Sequence, residues 1–259
     1  MREYVYRPVV RVAIVATRLL GIRFDLQGLE NLPAEGGAVL AANHVSFFDF
    51  IFVGLAYHRR NRRLVRFLAK RSVFERWPVG WLLRSMRHIP VDRAAGAGAG
   101  AEAYGAAVEA LWAGEVVGVF PESTISRSFL PRQLKSGAAR MAVEAGVPLI
   151  PVVTWGGQRL WTAGRRPALV RRVPVTVLVG PPLSVGAGEE PDAVTRRLTA
   201  RLAEMVDGVI AAYPDREAGD GAWWMPARMG GTAPTPEEAD GAERRAIAGR
   251  APVVPPPAG

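Results

Sequence analysis

No cysteine occurs among the 259 residues, which excludes disulfides, thiolate metal sites and any cysteine nucleophile. Histidine is nearly as scarce. The three copies, His44, His58 and His88, lie too far apart in sequence to read as a zinc site. Lysine is confined to Lys70 and Lys135, so the net charge of +9 is carried by arginine. Long apolar runs are missing as well. Near the N-terminus the longest, 12–16, falls far short of the ~20 residues that cross a bilayer and of a signal-peptide core. No G-x-S-x-G elbow is present, and the glycines of 94–103 lack the Lys-Ser/Thr ending of a phosphate loop.

What is present supports one packed body. With 49% hydrophobic residues the chain can bury a sizeable core. Short apolar runs read as strands at 38–42, 64–69, 88–91, 115–120, 147–154 and 173–179. Helical segments read at 47–57, 102–112, 133–145 and 191–213. Strands separated by helices indicate an α/β fold, here a single layered domain with a mixed, mostly parallel sheet flanked by helices. We assign residues 1–24 to an amphipathic helix, 25–229 to the α/β domain and 230–259, rich in Pro, Gly, Ala and Glu without periodicity, to a disordered tail. Trp223-Trp224-Met225-Pro226 either docks on the body or sits at a membrane interface.

Two cationic features have positions that matter. On an N-terminal helix opened by Pro8, Arg7, Arg11 and Arg18 fall within about 40° of one another on an otherwise apolar surface. Such a helix either lies in a membrane interface or packs on the domain. The run Arg59, Arg60, Arg62, Arg63 and Arg66 reads as a solvated face or as a surface meeting phosphates.

His44 and Asp49 carry the chemistry. In Asn43-His44-Val45-Ser46-Phe47-Phe48-Asp49 a carboxylate follows a histidine at five residues. On one continuous helix the two side chains would point about 140° apart, so His44 is expected before the helix. Ser46 would then be the N-cap and Asp49 would reach back as in a capping box, beside His44. The pair is either a general base with its orienting acid or a cap next to an unrelated loop histidine.

Three further blocks follow: His88-Ile89-Pro90-Val91-Asp92-Arg93, Phe120-Pro121-Glu122-Ser123-Thr124 and Val147-Pro148-Leu149-Ile150-Pro151-Val152. In this order and spacing, with Asn-His-x4-Asp at their head, the four blocks resemble the glycerolipid acyltransferase family. Its best-known members are 1-acylglycerol-3-phosphate (lysophosphatidate) acyltransferases. The resemblance covers residues 43–152. It implies a membrane-associated enzyme of phospholipid biosynthesis at the cytoplasmic face of the cell membrane. The enzyme would carry an acyl group from acyl-coenzyme A or acyl carrier protein to the free hydroxyl of lysophosphatidic acid, with no bound cofactor or metal. It further implies that His44 and Asp49 are catalytic and that Asn43, Arg93, Glu122, Ser123 and Thr124 serve substrate binding. The family's third block usually reads Phe-Pro-Glu-Gly-Thr-Arg-Ser. Here Ser123 replaces the glycine and Ile125 the arginine, and Arg127 is the nearest cation that could stand in. Two alternatives stay open: another lyso-lipid or glycerol 3-phosphate as acceptor, and a non-enzymatic basic protein on anionic membrane or nucleic acid. The second leaves the His44–Asp49 pair unexplained, so no nucleic-acid partner is expected.

Overall fold

The computed structural model describes residues 4–92, 96–214 and 222–248. Its core is one seven-stranded sheet in the order β1-β7-β6-β2-β5-β3-β4. The strands are β1 Arg23–Gln27, β2 Ala38–Ala42, β3 Val65–Lys70, β4 Ile89–Val91, β5 Val116–Val119, β6 Leu149–Trp155 and β7 Pro174–Val179. All pairs are parallel except β6 with β7. The expected layered α/β body with a mixed, mostly parallel sheet is therefore what forms.

The helices are α1 Tyr6–Leu19, α2 Asp49–Asn61, α3 Arg71–Phe74, α4 Val79–Ser85, α5 Gly96–Trp112, α6 Gly137–Ala145, α7 Pro191–Ala212 and α8 Pro236–Ala248. Residues of α5, α6 and α7 form one apolar layer with Val39, Val117 and Val153. Phe52, Val53 and Ala56 of α2 cover the other face with Leu40, Ile150 and Val175. β2, β5 and β6 are buried on both faces, as expected of central strands that read as continuous apolar runs.

Several differences from the sequence reading have local causes. β1 falls partly inside the stretch assigned to the first helix. Its residues alternate between exposed and part-buried, the period-2 signature of an edge strand. The helix itself stops at Leu19. It packs on the domain through Tyr6 and Val10, and the Tyr6 hydroxyl donates to the Val65 carbonyl at 2.7 Å. The C-terminal region is not disordered from Gly230 onward. α8 runs to Ala248, buries Ala239 and pairs Asp240 with Arg132 at 2.8 Å. Residues 249–259 lie outside the described residues. Trp224 and Met225 are buried against the body, which settles the docking alternative for that segment.

The arginine run is also divided by its surroundings. Arg66 is buried and pairs with Glu115 at 2.9 Å, while Arg63 donates to the carbonyls of Pro33, Gly36 and Gly114. Arg59, Arg60 and Arg62 are exposed.

Candidate active site

β2 ends at Ala42 and α2 begins at Asp49, and the loop between them carries the central pair. His44 Nδ1 lies 2.9 Å from Asp49 Oδ2. The same oxygen accepts the backbone N–H groups of Val45 and Ser46, each at 2.7 Å, while Oδ1 accepts the Thr154 hydroxyl at 2.8 Å. Asp49 is fully buried and acts at all four contacts as an acceptor. Nδ1 therefore donates, and in the neutral imidazole this tautomer keeps the lone pair on Nε2. The imidazole stacks on Phe120 with centroids 4.2 Å apart and planes inclined by 20°. One edge bonded and one face stacked fix the ring's orientation, and 19% of the side chain stays open to solvent.

The capping-box geometry is only half realised. Asp49 reaches back to the loop, but Phe48, not Ser46, occupies the N-cap position of α2. Ser46 Oγ accepts the Phe48 N–H and donates toward the Gly157 and Trp161 carbonyls. The loop after β6 thus braces the His44 loop, with the Thr162 hydroxyl on the Val45 carbonyl and the Phe47 N–H on the Trp161 carbonyl. Gly157 permits this approach, since a Cβ there would meet Phe52 at 2.8 Å and Ser46 at 3.0 Å.

The other expected site residues fall into different positions. Asn43 is buried, and both ends of its amide meet the Thr154 backbone, at 3.1 and 2.7 Å. That pairing continues the β2–β6 ladder and gives Asn43 a structural role. Glu122 follows β5 and is brought beside His44. Its Oε1 accepts the His44 N–H at 2.9 Å and its Oε2 the Arg132 N–H at 3.2 Å. Ser123 adopts a left-handed backbone, φ 65°, and Thr124 follows half-buried. The Ser126 N–H donates to the His44 carbonyl at 2.7 Å, so the segment bearing Arg127 crosses the His44 backbone. Ile125, where the resemblance leads one to expect arginine, is buried. Arg93 lies outside the described residues.

Thr154, Phe120 and Asp240 were not anticipated from sequence. Thr154 had a signal, as a hydroxyl in the apolar run of β6. Asp240 had none, because its link to Glu122 passes through Arg132 from a segment more than a hundred residues away.

Burial first, and the neighbouring Asp49 carboxylate less, push the Glu122 pKa up to about 8 against the two N–H donors and the Arg132 charge. The folded state therefore holds a proton that the unfolded chain releases near the ordinary value of 4.5. The folded form binds more protons between those values, so Glu122's contribution to stability falls as pH rises from about 4.5 to about 8. A Glu122→Gln variant should lack this slope. Melting curves of both proteins from pH 5 to 8 check it: the parent's midpoint should fall relative to the variant's. Parallel profiles would contradict it.

Comparisons with known proteins identify the family. Residues 23–155 match the family model described as Acyltransferase. The chain is 28% identical to a 1-acyl-sn-glycerol-3-phosphate acyltransferase of Bacillus subtilis, covering 68% of this chain and 84% of the relative. It is 31% identical to one of Pseudomonas aeruginosa, covering 71% and 68% respectively. Among solved structures, the 1-acyl-sn-glycerophosphate acyltransferase of Thermotoga maritima superposes with a TM-score of 0.66 at 22% identity, covering 82% of each chain. That likeness shows a shared fold. With a matched domain that spans half of its length and a relative at 31% identity, this chain belongs to the acyltransferase family.

Proposed function

We propose that the protein transfers a fatty acyl group from acyl-coenzyme A or acyl carrier protein to the free hydroxyl of 1-acylglycerol 3-phosphate, giving phosphatidate at a membrane surface. The observation that carries this reading is the His44–Asp49 pair, joined at Nδ1 over 2.9 Å, an arrangement that in the neutral imidazole leaves Nε2 as the acceptor. His44 Nε2 takes the hydroxyl proton as the acceptor oxygen bonds to the thioester carbonyl carbon. Collapse of the tetrahedral adduct breaks the C–S bond, and the leaving thiolate recovers the proton from the imidazolium. Asp49 stabilises that imidazolium. Attack is direct, since the chain has no cysteine and Ser46 Oγ is engaged with backbone groups on both sides.

The names of the relatives support the phosphorylated acceptor, and Arg93 and Arg127 are the cations assigned to it. Arginine suits this task because its fork engages two phosphate oxygens at once. Arg127 has no carboxylate partner among the described residues. Arg127→Ala and Arg93→Ala should each raise the acceptor KM by roughly 10- to 100-fold, the cost of a lost hydrogen bond to a charged group. The donor KM should stay nearly constant. Equal rises in both would contradict the assignment.

Ile125 in place of the expected arginine supports a second reading, in which another lyso-lipid or glycerol 3-phosphate is the acceptor. Thioester consumption measured over a panel of lyso-lipids, with products identified by mass spectrometry, tests both. The first reading expects lysophosphatidic acid to be preferred and phosphatidate to form. Absence of consumption with every acceptor would refute acyl transfer itself.

Membrane attachment is assigned to the outer face of α1, where Val12, Val15 and Leu19 are exposed beside Arg11 and Arg18. An apolar stripe edged by arginine is the chemistry of a helix lying at a bilayer surface.

A further inference from the structure

A groove of about 670 Å³ runs between the C-terminal half of α1, β1 and the C-terminal half of α2. That volume lies within the ~300–1,000 Å³ of small-ligand pockets. Its floor is apolar, formed by Ile14, Phe24, Leu26 and Leu55. Its rim is cationic, with Arg18 from α1, Arg59 from α2 and Arg62, the residue that caps α2. None of these three arginines has a carboxylate partner among the described residues. Arg59 in the last turn of α2 also offsets that helix's dipole, but Arg18 comes from another element and converges on the same rim. His58 lines the groove too, and its Nδ1 is buried without a hydrogen-bond partner. Burial first, then the charges of Arg62 and Arg7, lower the His58 pKa, which favours a neutral imidazole able to donate one hydrogen bond.

We propose that this groove is a second, non-catalytic site for a phospholipid with an anionic phosphate headgroup, its phosphate held by Arg18, Arg59 and Arg62 and one acyl chain laid on the apolar floor.

Three features favour a lipid over a soluble anion. The floor offers apolar surface that inorganic phosphate cannot use. Three guanidinium groups that line the groove without a carboxylate partner among the described residues suit a phosphate and disfavour a zwitterionic headgroup whose own cation would face them. The same helix that lines the groove through Ile14, Thr17 and Arg18 exposes Val15 and Leu19 on its outer side, so the groove borders the helix assigned to the bilayer. The groove is also apart from the reacting groups. His58 stands nine residues along α2 from Asp49, about 13 Å at helical rise. A lipid bound there would tie α1 to α2 and β1 without occupying the cleft at His44.

The test is photo-crosslinking with a short-chain phosphatidate that bears a diazirine on one acyl chain, below its micelle concentration and without acyl donor. Peptides spanning 12–26 and 50–58 should be labelled in the parent protein and equally in His44→Ala. An Arg59→Gln/Arg62→Asn double variant should need roughly 10- to 30-fold more probe for the same labelling, about three- to fivefold per lost arginine at an anionic contact. Asparagine is chosen because Arg62 has φ 59°, a conformation asparagine tolerates. The same chain on phosphatidylcholine should label these peptides weakly. Label confined to peptides around His44 and Glu122, equal labelling by the choline lipid, or labelling unchanged in the double variant would each overturn the proposal. None of these readouts needs turnover, so failure here leaves acyl transfer untouched, and an inactive enzyme would leave this site testable.

Discussion

His44→Ala is expected to lower kcat by roughly 10²- to 10⁴-fold, the usual worth of a general base, while the melting midpoint stays near that of the parent. No neighbour can take over. Both Glu122 oxygens accept backbone N–H groups, the Asp49 oxygens accept four donors, and Ser46 Oγ is held by backbone partners. The fold should persist because alanine keeps the main-chain N–H to Glu122 and the carbonyl to Ser126, and Asp49 keeps its other three donors when the imidazole is lost. Retention of more than a tenth of parental kcat would refute the mechanism.

The partner substitution separates charge from geometry. In Asp49→Asn, the N–H groups of Val45 and Ser46 oblige the side-chain oxygen to stay at the Oδ2 position, where it still accepts His44 Nδ1–H. The new amide then faces the Thr154 hydroxyl, which can rotate to accept. The tautomer is thereby retained, and what is lost is the negative charge that stabilises the imidazolium. An ion pair near 4 Å in a partly buried setting interacts by about 4 kcal/mol, so a fall in kcat of roughly 10²- to 10³-fold is expected with little change in acceptor KM. A pure cap would instead cost stability, about 1 kcal/mol, and leave kcat alone.

The pair was legible in sequence because spacing five is incompatible with one helical face, which forces the histidine into the preceding loop. β2 and β6 were legible because strands buried on both sides read as uninterrupted apolar runs. The edge strand β1 was not separated from the first helix, since both are short and apolar residues recur in each. Asn43 and Glu122 were placed at the site correctly in space but not in contact. Sequence shows a polar group near the reaction centre, while only the fold shows that Thr154 and the amides of His44 and Arg132 already occupy it. α8 was missed for a related reason: its sequence is mostly polar and small, and among its described side chains the ties to the body include Ala239 and the Asp240–Arg132 ion pair.

The opposed faces of α1 yield the last expected result. Tyr6 and Val10 point into the domain, whereas Val12, Val15 and Leu19 are 68%, 52% and 68% exposed. Packing on the body and lying on a bilayer are therefore compatible, because they use different sides of one helix. Removing residues 1–21 would strip the Tyr6–Val65 hydrogen bond and the Val10 contact and should lower the melting midpoint, so deletion cannot isolate membrane binding. Val12→Gln/Val15→Gln/Leu19→Gln can. Each inserted aliphatic side chain is worth about 1.5–3 kcal/mol when fully buried, so losing three should weaken liposome partitioning by roughly 10³-fold or more with the midpoint unchanged. The flanking arginines add ~1 kcal/mol each near an anionic surface, a contribution that shrinks with salt. Binding by the parent should thus decline with salt without vanishing, while residual binding by the triple variant should disappear. Co-sedimentation of the triple variant at parental levels would show that α1 does not face the bilayer. A large drop in its midpoint would show instead that these three side chains support the fold.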